Sequence, residues 1–182
     1  MALPANVPTG AWTLDPSHSE IGFTVRHAGI SKVRGQFTDA AATLDLADDV
    51  TASKVNATIK TASFDSGDVN RDGHVRGEDF FDVEKFPEIS FVSNTIVPKG
   101  DAYELQGDLT IKGVTRPVAL ETEFNGVAVD PFGNTRAGLS AETTISRKDF
   151  GLTWNAVLEA GGVLVSDKVA INLELAFIAP AA

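Results

Sequence analysis

Five residues between positions 68 and 79 have the types and spacing of a calcium loop. Asp68, Asn70 and Asp72 fall at loop positions one, three and five, Gly73 at six and Asp79 at twelve. Oxygen ligands so spaced wrap a hard cation, but such a loop ends in a bidentate Glu and is entered from a helix. Here position twelve is Asp79, residues 55–62 ahead of the loop alternate as a strand does, and Arg71 and Arg76 add positive charge to the cage. The competing reading is a polar loop in which Asn70 or Asp72 caps a short helix, one weakened by Gly73 and Gly77. Capping is the expectation, and no metal site is assigned.

The remaining chemistry-bearing residues are sparse. His18, His27 and His74 lack the i, i+4 spacing that would present two imidazoles to one zinc ion. His27 shares a strand face with Ile21, Phe23 and Val25. It reads as a hydrogen-bonded imidazole near a barrel rim or as a group meeting the polar end of a bound lipid. There is no cysteine, no Gly-x-Ser-x-Gly elbow and no glycine motif for phosphate or dinucleotide. Ser17 and His18 are neighbours, and neighbours on a strand point to opposite faces, so no working pair is expected. No catalytic residue follows, and the chain is not read as an enzyme. Phe80, Phe81, Phe86 and Pro87 form an aromatic cluster that packs a barrel end or lines a hydrophobic mouth.

The elements that must position these residues are strands. Period-two alternation puts Val55, Ala57 and Ile59 on one face and Asn56, Thr58 and Lys60 on the other. The same pattern recurs over 103–112, 118–124 and 137–145, and is clearest over 169–177, where Val169, Ile171, Leu173, Leu175 and Phe177 alternate with polar residues such as Asn172 and Glu174. One buried and one solvated face produce this reading. Turn signals at 97–102, 112–117 and 130–135 are short enough to join antiparallel neighbours. Two stretches break the rhythm, 68–87 and 146–155, and each has room for a short helix or an ordered loop. Seven or eight long alternating strands predict a closed barrel or a sandwich, with an up-and-down barrel favoured. Such a barrel is filled by its own side chains or holds one ligand.

The 182 residues suit one domain, with 1–11 as an N-terminal extension and 12–179 as the domain. Twenty-five acidic against 15 basic residues give a net charge of −10, which repels nucleic acid and anionic lipid headgroups alike. No run of about 18 apolar residues occurs, so no stable membrane insertion is expected. The N-terminus lacks a basic leader region, so a cytoplasmic location is expected.

Several motifs in fixed order carry a resemblance. "WTLDPSHSEIGFTVRHAGISKVRGQF" (12–37), "NRDGHVRGEDFFDVEKFPEISF" (70–91), "GDLTIKGVTRPVAL" (107–120), "SRKDFGLTWN" (146–155) and the closing "VSDKVAINLELAF" resemble the YceI-like family of polyisoprenoid-binding proteins. The resemblance implies an all-β fold: an extended antiparallel up-and-down, lipocalin-like barrel with one or two short helical segments. It also implies carriage or storage of a long-chain isoprenoid lipid of polyprenyl or isoprenoid-quinone type. A homodimer is a further implication; no cofactor is, beyond the lipid as ligand. The stretch that opened this section resembles the family's Arg-Asp-x-His-Leu-Arg…Phe-Phe segment, with Arg71, Asp72, His74, Arg76, Phe80 and Phe81 in place and Val75 for leucine.

Alternation then nominates the pore wall: Phe23, Val25, Ile59, Phe91, Leu109, Ile111, Leu120, Phe124, Leu139, Ile145, Ile171, Leu173 and Leu175. His27, Phe80, Phe81, Phe150 and Trp154 are nominated for the pore end or mouth, and Arg71, His74 and Arg76 as contacts for a phosphate head. The arginines read equally well as partners of Asp72, Glu78 or Asp79. An enzyme acting on such a lipid through His27 or His74, and a ligand-free interaction module, are the rival readings.

Overall fold

The computed structural model describes residues 2–181. Its strands are β1 (Gly10–Leu14), β2 (Glu20–His27), β3 (Ser31–Phe37), β4 (Ala40–Leu46), β5 (Lys54–Lys60), β6 (Phe64–Asp65), β7 (Glu88–Lys99), β8 (Ala102–Ile111), β9 (Val114–Val129), β10 (Thr135–Ser146) and β11 (Lys168–Ile178). One α-helix, α1 (Val69–Arg76), lies between β6 and β7. Among the described residues no helix is long and apolar enough to cross a membrane.

The first six segments are three long strands, each bent once. The 3-10 turn Pro16–His18 separates β1 from β2, two residues separate β3 from β4, and the turn Thr61–Ser63 separates β5 from β6. The register runs on across the bends: β1 pairs β4 and β2 pairs β3, while Ala40 faces Ile59 and Phe37 faces Phe64. So counted, eight antiparallel strands follow one another in chain order, and pairing of both β1 and β2 with β11 closes the ring. All-next-neighbour pairing is the up-and-down barrel, and closure leaves unpaired edge only where a strand outruns its neighbour, as β9 does beyond Thr122. Gly10 and Ala11, placed ahead of the domain on sequence grounds, belong to β1.

The two ends of the barrel are finished differently. At one, Trp12 is fully buried among Val7, Leu14, Ala137 and Phe177, with Leu3 packed against them. Its indole Nε1 donates to the Pro8 carbonyl at 2.9 Å, so its polar atom costs nothing to bury. The residues before the barrel therefore form its stopper. At the other end, α1 and the segment 151–167 surround an opening.

Glycines shape the wall at two places. A Cβ on Gly35 would sit 2.3 Å from the Phe23 ring, and one on Gly107 would sit 2.6 Å from the Phe91 ring. Each ring lies over a glycine on the adjacent strand, and this flattens it against the wall instead of across the lumen.

Candidate functional site

A cavity of about 620 Å³ occupies the barrel, within the usual range for small-molecule sites. Its shape is the informative part. Val169, Ile171, Leu173, Leu175 and Phe177 of β11 all line it, and five alternate residues span about 26 Å of strand. The site is thus a channel. Leu14 and Phe177 line it beside the Trp12 stopper, and His27, Leu164 and Val165 line it at the far end. Along the strands the lining is almost entirely hydrocarbon; Thr122 is an exception, and its hydroxyl donates to the Leu120 carbonyl at 3.2 Å.

Polar groups gather where the channel meets solvent. His27, Asn70, Arg71 and His74 line the cavity and are also exposed, which marks this end as the mouth. α1 presents three of them. Its N-cap is Asp68, whose carboxylate accepts from Arg71 N at 2.9 Å, the capping role expected of Asn70 or Asp72. Asp72 is instead buried and accepts from the Ser66 amide at 3.0 Å and its hydroxyl at 2.5 Å. Arg71 holds the same serine, with Nε donating to Ser66 Oγ and Nη2 to Ser66 O, each at 2.7 Å. Three of the five guanidinium donors are left over for a ligand. His74 Nε2 lies 2.9 Å from Asp79, and its ring meets Trp154 and Phe80 edge-on at 4.6 and 5.2 Å. The would-be calcium ligands Asp68, Asp72 and Asp79 thus serve separate protein donors.

The structure places most of the nominated wall on the channel: Phe23, Val25, Ile59, Phe91, Leu109, Ile111, Leu120, Leu139, Ile145, Ile171, Leu173 and Leu175 all line it, as do His27, Phe80, Phe81 and Trp154. Phe124 does not. Paired with Leu139, it has the inward parity, but β8 pairing ends at Tyr103 opposite Thr122, so no strand flanks Phe124 on that side and it is 38% exposed. Phe150 is also off the channel; at 2% exposure it packs beside Leu152 and Phe80 in the core around the mouth. Arg76 faces away from the lumen and donates to the Phe64 carbonyl at 2.5 Å. Neither arginine pairs with Asp72, Glu78 or Asp79. Ser17 and His18 also depart from expectation, because they lie on a 3-10 turn and not on a strand. They come within 3.0 Å, yet Ser17 donates to Asp15 at 2.6 Å and His18 Nδ1 contacts the same carboxylate at 2.8 Å. That cluster is a turn brace and holds no activated nucleophile.

Sequence reasoning missed Arg147. Only 4% exposed, it lines the channel mouth and donates to four carbonyls of the segment behind it: Leu152 at 2.6 Å, Trp154 and Ser166 at 2.9 Å, and Val165 at 3.2 Å. Burial pushes its pKa down from the ordinary guanidinium value, though such a group stays charged. Among the described residues no carboxylate forms an ion pair with it; its hydrogen bonds all go to neutral carbonyls, while Asp167, bonded to Ser146 and Lys148, acts on it only from a distance. The signal available was its position at the end of an inward-alternating strand, 145 being inward and 147 next on that face.

A sequence model of the YceI-like domain matches residues 12–177. The chain belongs to the YceI-like family. A UPF0312 protein of Pectobacterium atrosepticum is 42% identical over 137 residues, 75% of this chain and 71% of that protein. Protein YceI of Salmonella arizonae is 40% identical over 137 residues, covering 75% of this chain and 72% of its own. Among solved structures, the Campylobacter jejuni YceI protein superposes with a TM-score of 0.72 at 31% identity, covering 86% of this chain and 90% of that one. Burkholderia cenocepacia BcnA gives 0.79 at 25% identity, over 90% and 98%. A polyisoprenoid binding domain from Saccharophagus degradans shares the fold at 15% identity, with a TM-score of 0.70 over 95% and 100%.

Proposed function

We propose that this YceI-like protein is a carrier or storage protein for a long-chain amphiphilic lipid of isoprenoid type, held with its tail along the channel and its head at the mouth. The observation that carries the reading is the polarity of the channel along its length: hydrocarbon over about 26 Å of tilted strand, roughly 20 Å of barrel axis, from a sealed end, then Arg71, His74 and Arg147 where it opens. A branched, unsaturated chain needs no polar partner inside, and enclosing it removes apolar surface from water at about 25 cal/mol per Å². At about 0.3 kcal/mol per heavy atom, a forty-carbon chain would gain on the order of 12 kcal/mol, roughly nanomolar binding. The Saccharophagus domain, named for polyisoprenoid binding, has the same barrel.

The cations at the mouth favour an anionic or strongly polar head, since guanidinium forks match phosphate oxygens. Catalysis is the weaker reading. The His74–Asp79 pair is the nearest thing to acid–base machinery, but the imidazole is wedged between Phe80 and Trp154 and serves to shape the rim.

Native mass spectrometry of the freshly purified protein, followed by organic extraction, tests the proposal. A stoichiometric lipid whose extract contains an isoprenoid is the expected result. A bare mass that stays bare after incubation with polyprenyl phosphates and isoprenoid quinones would overturn it. His74→Ala should retain the lipid if the protein is a carrier.

A further inference from the structure

The net charge of −10 hides an acid-free stretch. Residues 21–38 contain Arg26, Lys32 and Arg34 and no carboxylate. They form the β2–β3 hairpin, in which Arg26 pairs directly with Lys32, and Thr24 with Arg34. These residues alternate with the inward Phe23, Val25 and Val33: Lys32 and Arg34 lie on the outer face near the hairpin tip, and Arg26 stands at the rim, where it also borders the channel. Like charges directly opposite on a sheet destabilise it, and among the described residues no carboxylate forms an ion pair with any of the three. On the barrel's opposite wall Glu104, Glu121 and Glu142 stand in cross-strand register on β8, β9 and β10, with Lys99 paired to Glu104. The molecule is therefore polarised across its width.

The cationic hairpin also carries apolar groups that face water. Its tip residue Ile30 is 85% exposed. Beside it runs the segment 156–164, tied on by Ala28 N donating to the Leu164 carbonyl at 2.7 Å and by a bridge between His27 and Val165. In that segment Val157 bridges Val163, and the two are 85% and 47% exposed. Its one carboxylate is Glu159. Exposed apolar side chains beside unpaired cations, at the opening of a hydrocarbon channel, are the makings of a bilayer contact.

We infer that the β2–β3 tip and segment 156–164 form a docking surface for an anionic lipid bilayer, which sets the channel mouth against the membrane for loading and release. The use assigned to the docking rests on the carrier reading; the docking does not. Repulsion from the distant acidic wall does not forbid it, because the screening length at physiological ionic strength is about 8 Å, and the polarisation turns the cationic side toward the surface. The apolar tip then enters the headgroup layer, with no helix needed.

The test is flotation of the full chain with vesicles of phosphatidylcholine alone or mixed with phosphatidylglycerol, at physiological salt. Binding to the mixed vesicles, and little to the neutral ones, is expected. The double variant Lys32→Gln, Arg34→Gln should weaken it about 25-fold, at roughly five-fold per cation, and Ile30→Ser should weaken it several-fold. None of the three lines the channel, so the lipid complement read by native mass spectrometry should stay that of the parent. Equal binding to neutral vesicles, no binding to either, or binding indifferent to both variants would overturn the inference. Bound lipid without flotation would leave the carrier reading standing and sink the docking. Flotation by a protein that never holds lipid would do the opposite.

Discussion

The two ends of the barrel treat charge in opposite ways. At the sealed end the charges beside the stopper are paired with one another. Asp15 accepts from Ser17 Oγ, from Arg136 Nη1 at 2.5 Å and from His18, and Arg136 Nε donates to Asp130 at 2.7 Å. These bonds hold the Asp15 carboxyl well below its ordinary pKa, and Arg136 with the Asn134 amide holds Asp130 at about 2. At the mouth, Arg71 and Arg147 are fixed by serine and backbone carbonyl oxygens, which orient a guanidinium without cancelling its charge. Neutralised charge beside a buried Trp12 makes a stopper; oriented, uncancelled charge beside a hydrocarbon channel makes a receptor for a head group. Substitutions at the sealed end should cost stability, and substitutions at the mouth should cost ligand.

Trp12→Ala is the largest test of that difference. Removing a fully buried indole should cost about 3–5 kcal/mol, measured by urea unfolding. Trp154→Ala at the mouth removes a half-buried ring and should cost less than half as much, while lipid retention falls. Equal losses from both would erase the distinction between the ends. Asp15→Ala comes next, at about 1–3 kcal/mol, because it removes the acceptor of Ser17, of His18 and of one arm of Arg136, which keeps Asp130. Its pH dependence has a defined sign. Asp15 and Asp130 have lowered folded pKa values, so their contribution is complete above the unfolded value of about 3.9 and is lost as pH falls through the folded values. The parent should therefore lose stability from about pH 4 downward, and Asp15→Asn should lose less of it over that window.

How much of this was legible in the sequence follows from which rules act locally. Alternation read the wall of β11 residue by residue, because side-chain direction on a strand is set by parity alone. Parity also nominated Phe124, which does not line the channel, because β8 stops pairing at Thr122 and the length of a neighbouring strand is not written in local alternation. The bends that turn six segments into three strands are nearly silent in composition. That is why Ser17 and His18 were assigned to opposite faces of a strand when they share a 3-10 turn. Arg147 escaped because its role depends on four carbonyls between residues 152 and 166, which only the folded loop brings together. The calcium-like spacing gives way to a helix cap, but the capping residue is Asp68 and not Asn70 or Asp72, because Asp72 turns to Ser66 while Asp79 turns to His74.

Gly107→Val bears on the channel between the two ends. The added carbon would meet the Phe91 ring and the Val92 carbonyl, at 2.6 and 2.5 Å, and the ring can yield only into the lumen. The expected cost is about 1–3 kcal/mol of overpacking, accompanied by loss of long-chain lipid and retention of a shorter analogue. Unchanged occupancy by the long chain would mean that the ligand does not pass this level of the barrel.

The smallest effect on stability, and the sharpest on function, belongs to Arg71→Gln. Its bonds to Ser66 are made at the solvent-exposed mouth, so unfolding free energy should shift by under about 1 kcal/mol. A hydrogen bond to a charged head group is worth about 1.5–3 kcal/mol, so affinity for a polyprenyl phosphate should fall at least about ten-fold. Affinity for the uncharged polyprenol of the same length should barely move, because the channel wall is untouched. Titrating both ligands against both proteins separates tail from head in one experiment. A parallel loss for the two would place Arg71 in the scaffold of the mouth, and the cation that meets the head would then have to be Arg147.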